Sequence, residues 1–212
     1  MLIPTFQLRA YSERRGLIAS TPPIRCRSFV QQFLQLLYVG LQNGANFNVT
    51  RISGSGISVD LIEAFRMVIT GAGRGGSTLG FHSGGSYLTS TQSGIVVGTG
   101  TNAVTVTDFA LQTPIADGTD SGQLEYLSCG MTNYRISGNT GSFDIERLFR
   151  NSSGGSITIN EIALYGGSID FNGIALYSNP RSFCLIRDLV SPGFTLNDGL
   201  YLRAIFTLSF SA

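Results

Sequence analysis

Residues 200–211, close to the end of the chain, alternate between apolar and polar side chains with a period of two. They read LYLRAIFTLSFS, in which every second residue from Leu200 is apolar and Ile205 is the one apolar residue in the intervening set. This period places the apolar set on one face of a β-strand. An unbroken apolar face of this length needs a large partner surface, so the sequence predicts a long strand within an all-β domain.

Two segments carry the pattern of a β-hairpin. The turn signal Asn197-Asp198-Gly199 stands between the terminal strand and a shorter apolar alternation, so we predict a hairpin over 193–211. A second hairpin is predicted where FDIERLFR and SITINEIALYGG flank NSSGG. The apolar positions change parity between Ile159 and Ile162, and such a change predicts a β-bulge at Asn160-Glu161.

The composition favours sheets joined by tight turns. Only 13% of the 212 residues are charged and 27 are glycine, which does not suit a helical enzyme. Turn signals at regular spacing predict about eight to ten short strands, and hence a two-sheet β-sandwich of jelly-roll-like or Ig-like type. The expected organisation is a basic extended arm over 1–27, an amphipathic helix over 28–44 and the β-sandwich domain over 45–212.

The predicted arm concentrates positive charge. It contains one acid, Glu13, and five of the chain's fourteen basic residues, all of them arginines: Arg9, Arg14, Arg15, Arg25 and Arg27. Such an arm suits a contact with a neighbouring subunit or with nucleic acid. Few aromatic residues lie between the arginines, which favours the subunit contact over nucleic acid. The complete lack of lysine fits a surface covered by neighbours, and genomic codon bias explains it equally well.

The one predicted helix begins after Ser28, a good N-cap, and ends at Gly44. Its glutamines cluster on one side, opposite an apolar face. We expect that face either to cover the chain's own sheet or to dock on another subunit. Its main members are Phe29, Phe33, Leu34, Leu37 and Leu41.

Motifs for chemistry are weak. The glycine pattern over 71–76 matches GxGxxG, but a Gly/Ser-rich stretch follows where a dinucleotide site needs a helix, so it indicates a loop. His82 is the only histidine and lies in that same stretch, outside any nucleophile-elbow sequence. We therefore expect no catalytic centre, no metal and no cofactor. Asp144, Glu146 and Glu161 leave a hydrolase as an alternative, although alternating acids on a hairpin usually form a solvated face.

The cysteines and the hydropathy bear on location. Cys26, Cys129 and Cys184 are widely spaced and odd in number, which favours free buried thiols in a reducing compartment. The apolar runs are too short for a transmembrane helix, so we expect no membrane partner.

Three stretches resemble the β-sandwich virion proteins of tailed bacteriophages. They are GIVVGTGTNAVTVTDFALQTPI, ERLFRNSSGGSITINEIALYGG and CLIRDLVSPGFTLNDGLYLRAIFTLSF, about a third of the chain. The resemblance implies a non-enzymatic structural subunit of a capsid, neck or tail, made in the host cytoplasm and located in the virion. Its implied partners are copies of itself and other virion proteins. The alternative is a receptor-binding, lectin-like module of a tail that uses loop tyrosines such as Tyr87, Tyr134 and Tyr177.

Overall fold

The computed structural model of the protein describes residues 2–26, 28–41, 47–59, 67–68, 91–168 and 181–211. Within these ranges the chain is mostly β, with one helix, as the sequence predicts. Every pair of named strands is antiparallel.

The strands form a six-stranded sheet, here termed sheet A, a four-stranded sheet, termed sheet B, and a separate two-stranded hairpin. Sheet A contains β1 (Leu2–Ser12), β2 (Gly16–Ser20), β3 (Ile24–Arg25), β8 (Glu125–Ser137), β9 (Thr140–Arg150) and β12 (Tyr201–Ser211). Its order is β2-β1-β12-β9-β8, and β3 also pairs with β1. Sheet B contains β6 (Met67–Val68), β7 (Gly94–Gly98), β10 (Ile157–Ser168) and β11 (Arg181–Leu196), ordered β11-β10-β6 with β7 also on β10. The hairpin joins β4 (Phe47–Thr50) and β5 (Gly56–Val59).

The terminal strand β12 lies in the interior of sheet A, between β1 and β9. Leu202, Ala204 and Phe206 are fully buried, which confirms the inward face that the alternation predicts. The face does not stay covered to its end, because Phe210 is 53% exposed. Buried side chains of both sheets belong to one hydrophobic core.

Both predicted hairpins are wrong in their pairing, although their turns lie where expected. β9 belongs to sheet A and β10 to sheet B, and β11 and β12 are divided between sheets B and A in the same way. The connections 151–156 and 197–200 therefore cross between sheets, and they are hydrogen-bonded to each other. The Asn151 N–H donates to the Leu200 carbonyl at 3.0 Å, and the Gly199 N–H donates to the Asn151 carbonyl at 2.8 Å. A turn signal fixes a change of direction but not the partner of the next strand.

The predicted bulge is confirmed, because the pairing register of β10 with β11 shifts between Ile159 and Glu161. The shift allows the strand to present apolar residues inward on both sides of the bulge, and Ile159 and Ile162 are both fully buried.

The N-terminal segment differs from the predicted arm. β1 pairs with β12 over ten consecutive residue pairs, and Phe6 and Leu8 are buried in the core. The physical reason is the alternation of Phe6, Leu8 and Ala10, which supplies the same inward face as β12 itself. The separation of 1–27 from the β domain is therefore wrong for β1, β2 and β3. Arg27 lies outside the described residues.

The helix α1 (Gln31–Leu41) begins three residues later than predicted. Phe29 instead forms a β-bridge with Ile186 of β11, and the Val30 N–H donates to the Leu185 carbonyl at 3.2 Å. This strand-like entry sets the rotation of the helix against sheet B. Residues 42–44 of the predicted helix lie outside the described ranges.

Only part of the predicted helix face turns inward. Phe29 and Phe33 stack, with ring centroids 4.3 Å apart, and both pack against the core. Leu34 and Leu37 are instead 57% and 49% exposed, so this part of the predicted apolar face does not cover the chain's own sheet. The side chain of Leu41 lies outside the described part of the chain. Because the entry bridge fixes the rotation, Gln32 is buried in their place.

Candidate interaction surface

The three acids proposed for hydrolysis do not lie together. Asp144 and Glu146 are on β9, at positions alternating with the inward-facing Ile145, while Glu161 is on β10 in the other sheet. Glu146 is ion-paired with Arg203 of the neighbouring strand β12. Asp144 accepts hydrogen bonds from Arg135, Thr207 and Asn133. Each of the three acids therefore has its own structural partners.

The electrostatics of Asp144 follow from those partners. Partial burial by itself raises the pKa of the carboxyl group, but the hydrogen bonds from Arg135, Thr207 and Asn133 outweigh it. The pKa of Asp144 is therefore lower than its usual value. This carboxylate is stabilised in its charged form, as in a structural ion pair.

Glu161 is the centre of a buried ion cluster. Its Oε2 accepts from Arg187 Nε at 3.0 Å and from Nη2 at 2.9 Å, and both side chains are almost completely buried. Its two oxygens also accept backbone N–H groups of Gly100, Gln112 and Thr113, at 3.2, 3.0 and 2.7 Å. The cluster therefore fixes the 99–113 loop to sheet B.

Arg187 and two glycines complete this arrangement. Arg187 Nη1 also donates to Asp108 Oδ2 at 2.5 Å. Burial lowers the pKa of the guanidinium, but its hydrogen bonds with Glu161 and Asp108 outweigh that effect and raise the pKa overall. A Cβ atom at Gly98 or Gly100 would lie 2.6 or 2.5 Å from Glu161 Oε1, so this approach requires glycine at both positions. Every charge is satisfied internally, which is the chemistry of a structural cluster.

Arg147 is fully buried and makes a different kind of bridge. It lies on β9 of sheet A, and its Nη1 donates to the carbonyls of Ser93 and Ile95, at 2.7 and 3.0 Å. Its guanidinium lies 5.0 Å from the centre of the Tyr126 ring. The Tyr126 hydroxyl donates to the Ile115 carbonyl at 2.8 Å. These side chains satisfy backbone groups along β7 and its neighbouring loop, so this edge of sheet B is closed.

The thiols are buried and reduced, as predicted. Cys26, Cys129 and Cys184 form no disulfide. Burial and the nearby Asp188 carboxylate raise the pKa of the Cys26 thiol. Burial likewise raises the pKa of the Cys184 thiol. Neither group has the thiolate character that a nucleophile needs.

Other predicted chemical positions find no site among the residues described. Those residues contain no group of three or more side chains suited to hold a metal ion. His82 and the glycine pattern over 71–76 lie outside the described ranges, as do Tyr87 and Tyr177.

The first exposed surface is the N-terminal edge of sheet A, formed by the turn over 13–15, β2 and β3. All five residues of β2 are exposed, including Leu17 at 55% and Ile18 at 47%. Arg14, Arg15 and Arg25 are exposed and have no ion pair within the described part of the chain. The structure thus brings three of the five predicted contact arginines to one edge. Arg9 differs, since its Nη2 donates to Gln7 Oε1 at 2.7 Å.

The second exposed surface is the opposite edge of sheet A, formed by β8. Beyond Gly130, this strand exposes Met131, Tyr134 and Ile136 at 53%, 76% and 68%. Asn133 has a positive φ of 53°, and the register with β9 shifts between Thr132 and Arg135. Such irregularity hinders simple strand addition, a common protection of edge strands.

The third exposed surface is the outward side of α1, which consists of Leu34, Leu37 and Tyr38. These positions are three and four residues apart and therefore adjacent on a helix. The described helix contains no charged residue. On its inner side, the Gln32 side chain is fully buried and neither of its polar atoms has a hydrogen-bond partner. One glutamine of the predicted polar side is therefore buried, while two leucines of the predicted apolar side are exposed.

Sequence reasoning missed the exposed Leu17 and Ile18 and the buried Arg147. Leu17 and Ile18 are adjacent apolar residues in a segment predicted to be an arm, and only the edge position of β2 shows that both stay exposed. The inward orientation of Arg147 was predictable from the sequence, because Arg147 lies two residues from Ile145 and from Phe149 and therefore on the same face of the strand.

Comparison of the chain with protein-family models, with curated proteins and with solved structures gives no match. In the residues described, no helix has the length and apolar character needed to cross a membrane.

Proposed function

We propose that the chain is a non-enzymatic structural subunit that assembles with copies of itself and with other proteins of a particle. The observation that supports this proposal is that both edges of sheet A expose apolar side chains, while Arg14, Arg15 and Arg25 of one edge have no acidic partner among the residues described. Apolar side chains grouped along an exposed edge suit a protein–protein contact. The ionisable groups in the interior are engaged in structural bonds, which supports binding rather than catalysis.

The particle that we propose is the virion of a tailed bacteriophage, with the chain in its capsid, neck or tail. This part of the proposal is supported by the resemblance of the three β-rich stretches to virion proteins. For the fold we propose a β-sandwich of jelly-roll-like or Ig-like type, in keeping with two antiparallel sheets that share one core.

Two measurements test the proposal. Sedimentation velocity of the purified chain over a wide concentration range is expected to show reversible association, and a monomer at every concentration would contradict it. Mass spectrometry of density-purified particles, from cells that express the gene in its natural context, is expected to find the chain in constant ratio to the shell proteins. Particles that lack the chain would refute the virion assignment.

Among the residues described, Tyr134 is the one predicted sugar-stacking tyrosine that supports a carbohydrate-binding role, since its side chain is 76% exposed. Binding to a glycan array that is lost in Tyr134→Ala would favour that role over the structural one.

A further inference from the structure

The two edges of sheet A carry opposite charge at the same end of the sheet. One row of paired residues crosses the sheet from edge to edge: Leu17, Tyr11, Tyr201, Arg150 and Glu125. With strands about 4.8 Å apart, the ends of this row are about 19 Å from each other. The basic turn is adjacent to the Leu17 end, and the acidic loop that leads into β8 is adjacent to the Glu125 end.

The basic corner consists of Arg14 and Arg15, in the turn between β1 and β2. Both are exposed, and neither has an ion pair in the described part of the chain. Glu13, the acid of the same turn, accepts the Tyr201 hydroxyl at 2.8 Å and keeps its negative charge. Because the two arginines outnumber this acid, the corner has a net positive charge.

The acidic corner consists of Asp120 and Glu125. Asp120 is exposed, in a turn closed by the Gln123 N–H, which donates to the Asp120 carbonyl at 2.9 Å. Glu125 accepts the Ser152 hydroxyl at 2.8 Å, and its Oε2 lies 3.9 Å from Arg150 Nη1; the Glu125 side chain is 17% exposed. Asp120 is therefore the more accessible negative charge of this corner, at the opposite edge of the same sheet.

We propose that a second copy of this chain docks its basic corner, Arg14 and Arg15, on the acidic corner, Asp120 and Glu125, of the first. This inference rests on the proposed structural role and specifies its contact. When two copies stand side by side with the same orientation, the two corners meet at the same height along the strands, and each copy keeps one free corner of each sign. Such a head-to-tail contact repeats, and it closes into a ring or continues as a filament.

Side chains make this contact, rather than strand pairing. The Tyr126 N–H at the start of β8 already donates to Asp117 Oδ1 at 2.9 Å, so the loop before β8 covers this part of the edge. The exposed Leu17 and Ile18 stand next to the basic corner and become covered by the neighbouring copy. Since opposite charges face each other across exposed surface, association weakens as salt increases.

Charge reversal in two separate variants tests the arrangement. The first variant is Arg14→Glu with Arg15→Glu, and the second is Asp120→Arg with Glu125→Arg. Each alone brings like charges together and is expected to weaken self-association about tenfold or more in sedimentation velocity. An equimolar mixture of the two places opposite charges at every contact, so association is expected to return to within about threefold of the wild-type strength.

A matched control reverses charge elsewhere on the surface. Arg25→Glu lies on the same edge as the basic corner but some distance along the strand from the turn. It is expected to associate like the wild type. Unchanged association of the two corner variants, or a mixture that is not restored, would overturn the proposed contact while leaving the structural role in place. A wild-type chain that never associates would instead refute the structural role.

A proximity measurement keeps the test independent of charge. Arg15→Cys and Asp120→Cys are prepared as separate chains, and the three natural thiols are buried. A short bismaleimide is expected to join the two variants in a mixture, while each alone gives little cross-linked dimer. Equal cross-linking of Arg15→Cys with itself would show a two-fold contact and would contradict the head-to-tail arrangement.

Discussion

Replacement of Glu161 by glutamine tests the buried ion cluster most sharply. The change keeps the shape of the side chain but removes a charge that Arg187 contacts through Nε and Nη2, in a site where Arg187 is only 2% exposed. It also places amide hydrogens near the N–H groups of Gln112 and Thr113, which donate to the carboxylate. Removal of one partner from a buried pair costs about 3–5 kcal/mol. Because Asp108 still contacts Arg187, we expect the lower end, about 3 kcal/mol.

The assay is urea unfolding, followed by circular dichroism and by tyrosine fluorescence, since the chain has no tryptophan. With a slope of about 3 kcal/mol per molar, the midpoint for Glu161→Gln is expected to fall by about 1 M. Glu146→Gln is the matched control, because its partner Arg203 is 41% exposed, and its cost is expected to stay below about 1 kcal/mol. Equal losses in the two variants, or a loss below about 1 kcal/mol for Glu161→Gln, would refute the reasoning.

Three further predictions concern acid stability, thiol reactivity and the helix surface. Because the pKa of Asp144 is lowered in the fold, its contribution to stability is present above the ordinary pKa of 3.8 and is lost as the pH falls through the lower pKa of the folded state. Asp144→Asn is therefore expected to flatten the acid side of a curve of unfolding free energy against pH, and an unchanged curve would count against this account. Cys26 and Cys184, buried and with raised pKa, are expected to react with a thiol reagent at pH 8 only after unfolding, so rapid labelling of the native chain would contradict their placement. Leu34→Ser with Leu37→Ser is expected to change the free energy of unfolding by less than about 1 kcal/mol, since both are half exposed, while Phe33→Ser costs more; a large loss in the double variant would show that those leucines are covered.

The sequence predicts the strands better than it predicts their partners. The alternation in β12 depends only on its own residues, and its inward face over Leu202, Ala204 and Phe206 is confirmed. The bulge before Glu161 is likewise a local signal and is confirmed. The connections after β9 and β11 show the limit, because a short polar turn fits a hairpin and a crossing between sheets equally well.

The same distinction explains the errors at the N-terminus and in the helix. The alternation of Phe6, Leu8 and Ala10 was present, but a concentration of arginines suggested an arm rather than a strand. In the helix, hydrophobic periodicity predicts an apolar face but not which of its members turn inward, and the bridge between Phe29 and Ile186 fixes that rotation. Both outcomes depend on pairing with β12 or β11, more than 140 residues later in the chain.

The candidate surface was predictable only as a set of residue types. The sequence shows a concentration of arginines near the N-terminus, but the position of Arg14, Arg15 and Arg25 at the edge of sheet A follows from the pairing of β1 with β12. No sequence motif marks Asp120 and Glu125, the acids of the proposed contact. Their relation to the basic corner follows only from the row of paired residues that joins the two edges of sheet A.

Hydrogen exchange in dilute and in associated samples tests the central claim, that this β domain associates with other copies of the chain through the edges of sheet A. Slow exchange is expected over Leu2–Ser12 in both samples, because β1 is paired within its own chain. The peptide covering Gly16–Ser20 is expected to exchange faster in the dilute sample than in the associated one, because β2 is an edge strand and pairs with β1 on one side only. Fast exchange of Leu2–Ser12 in the dilute sample, or equal exchange of Gly16–Ser20 in both, would contradict this claim.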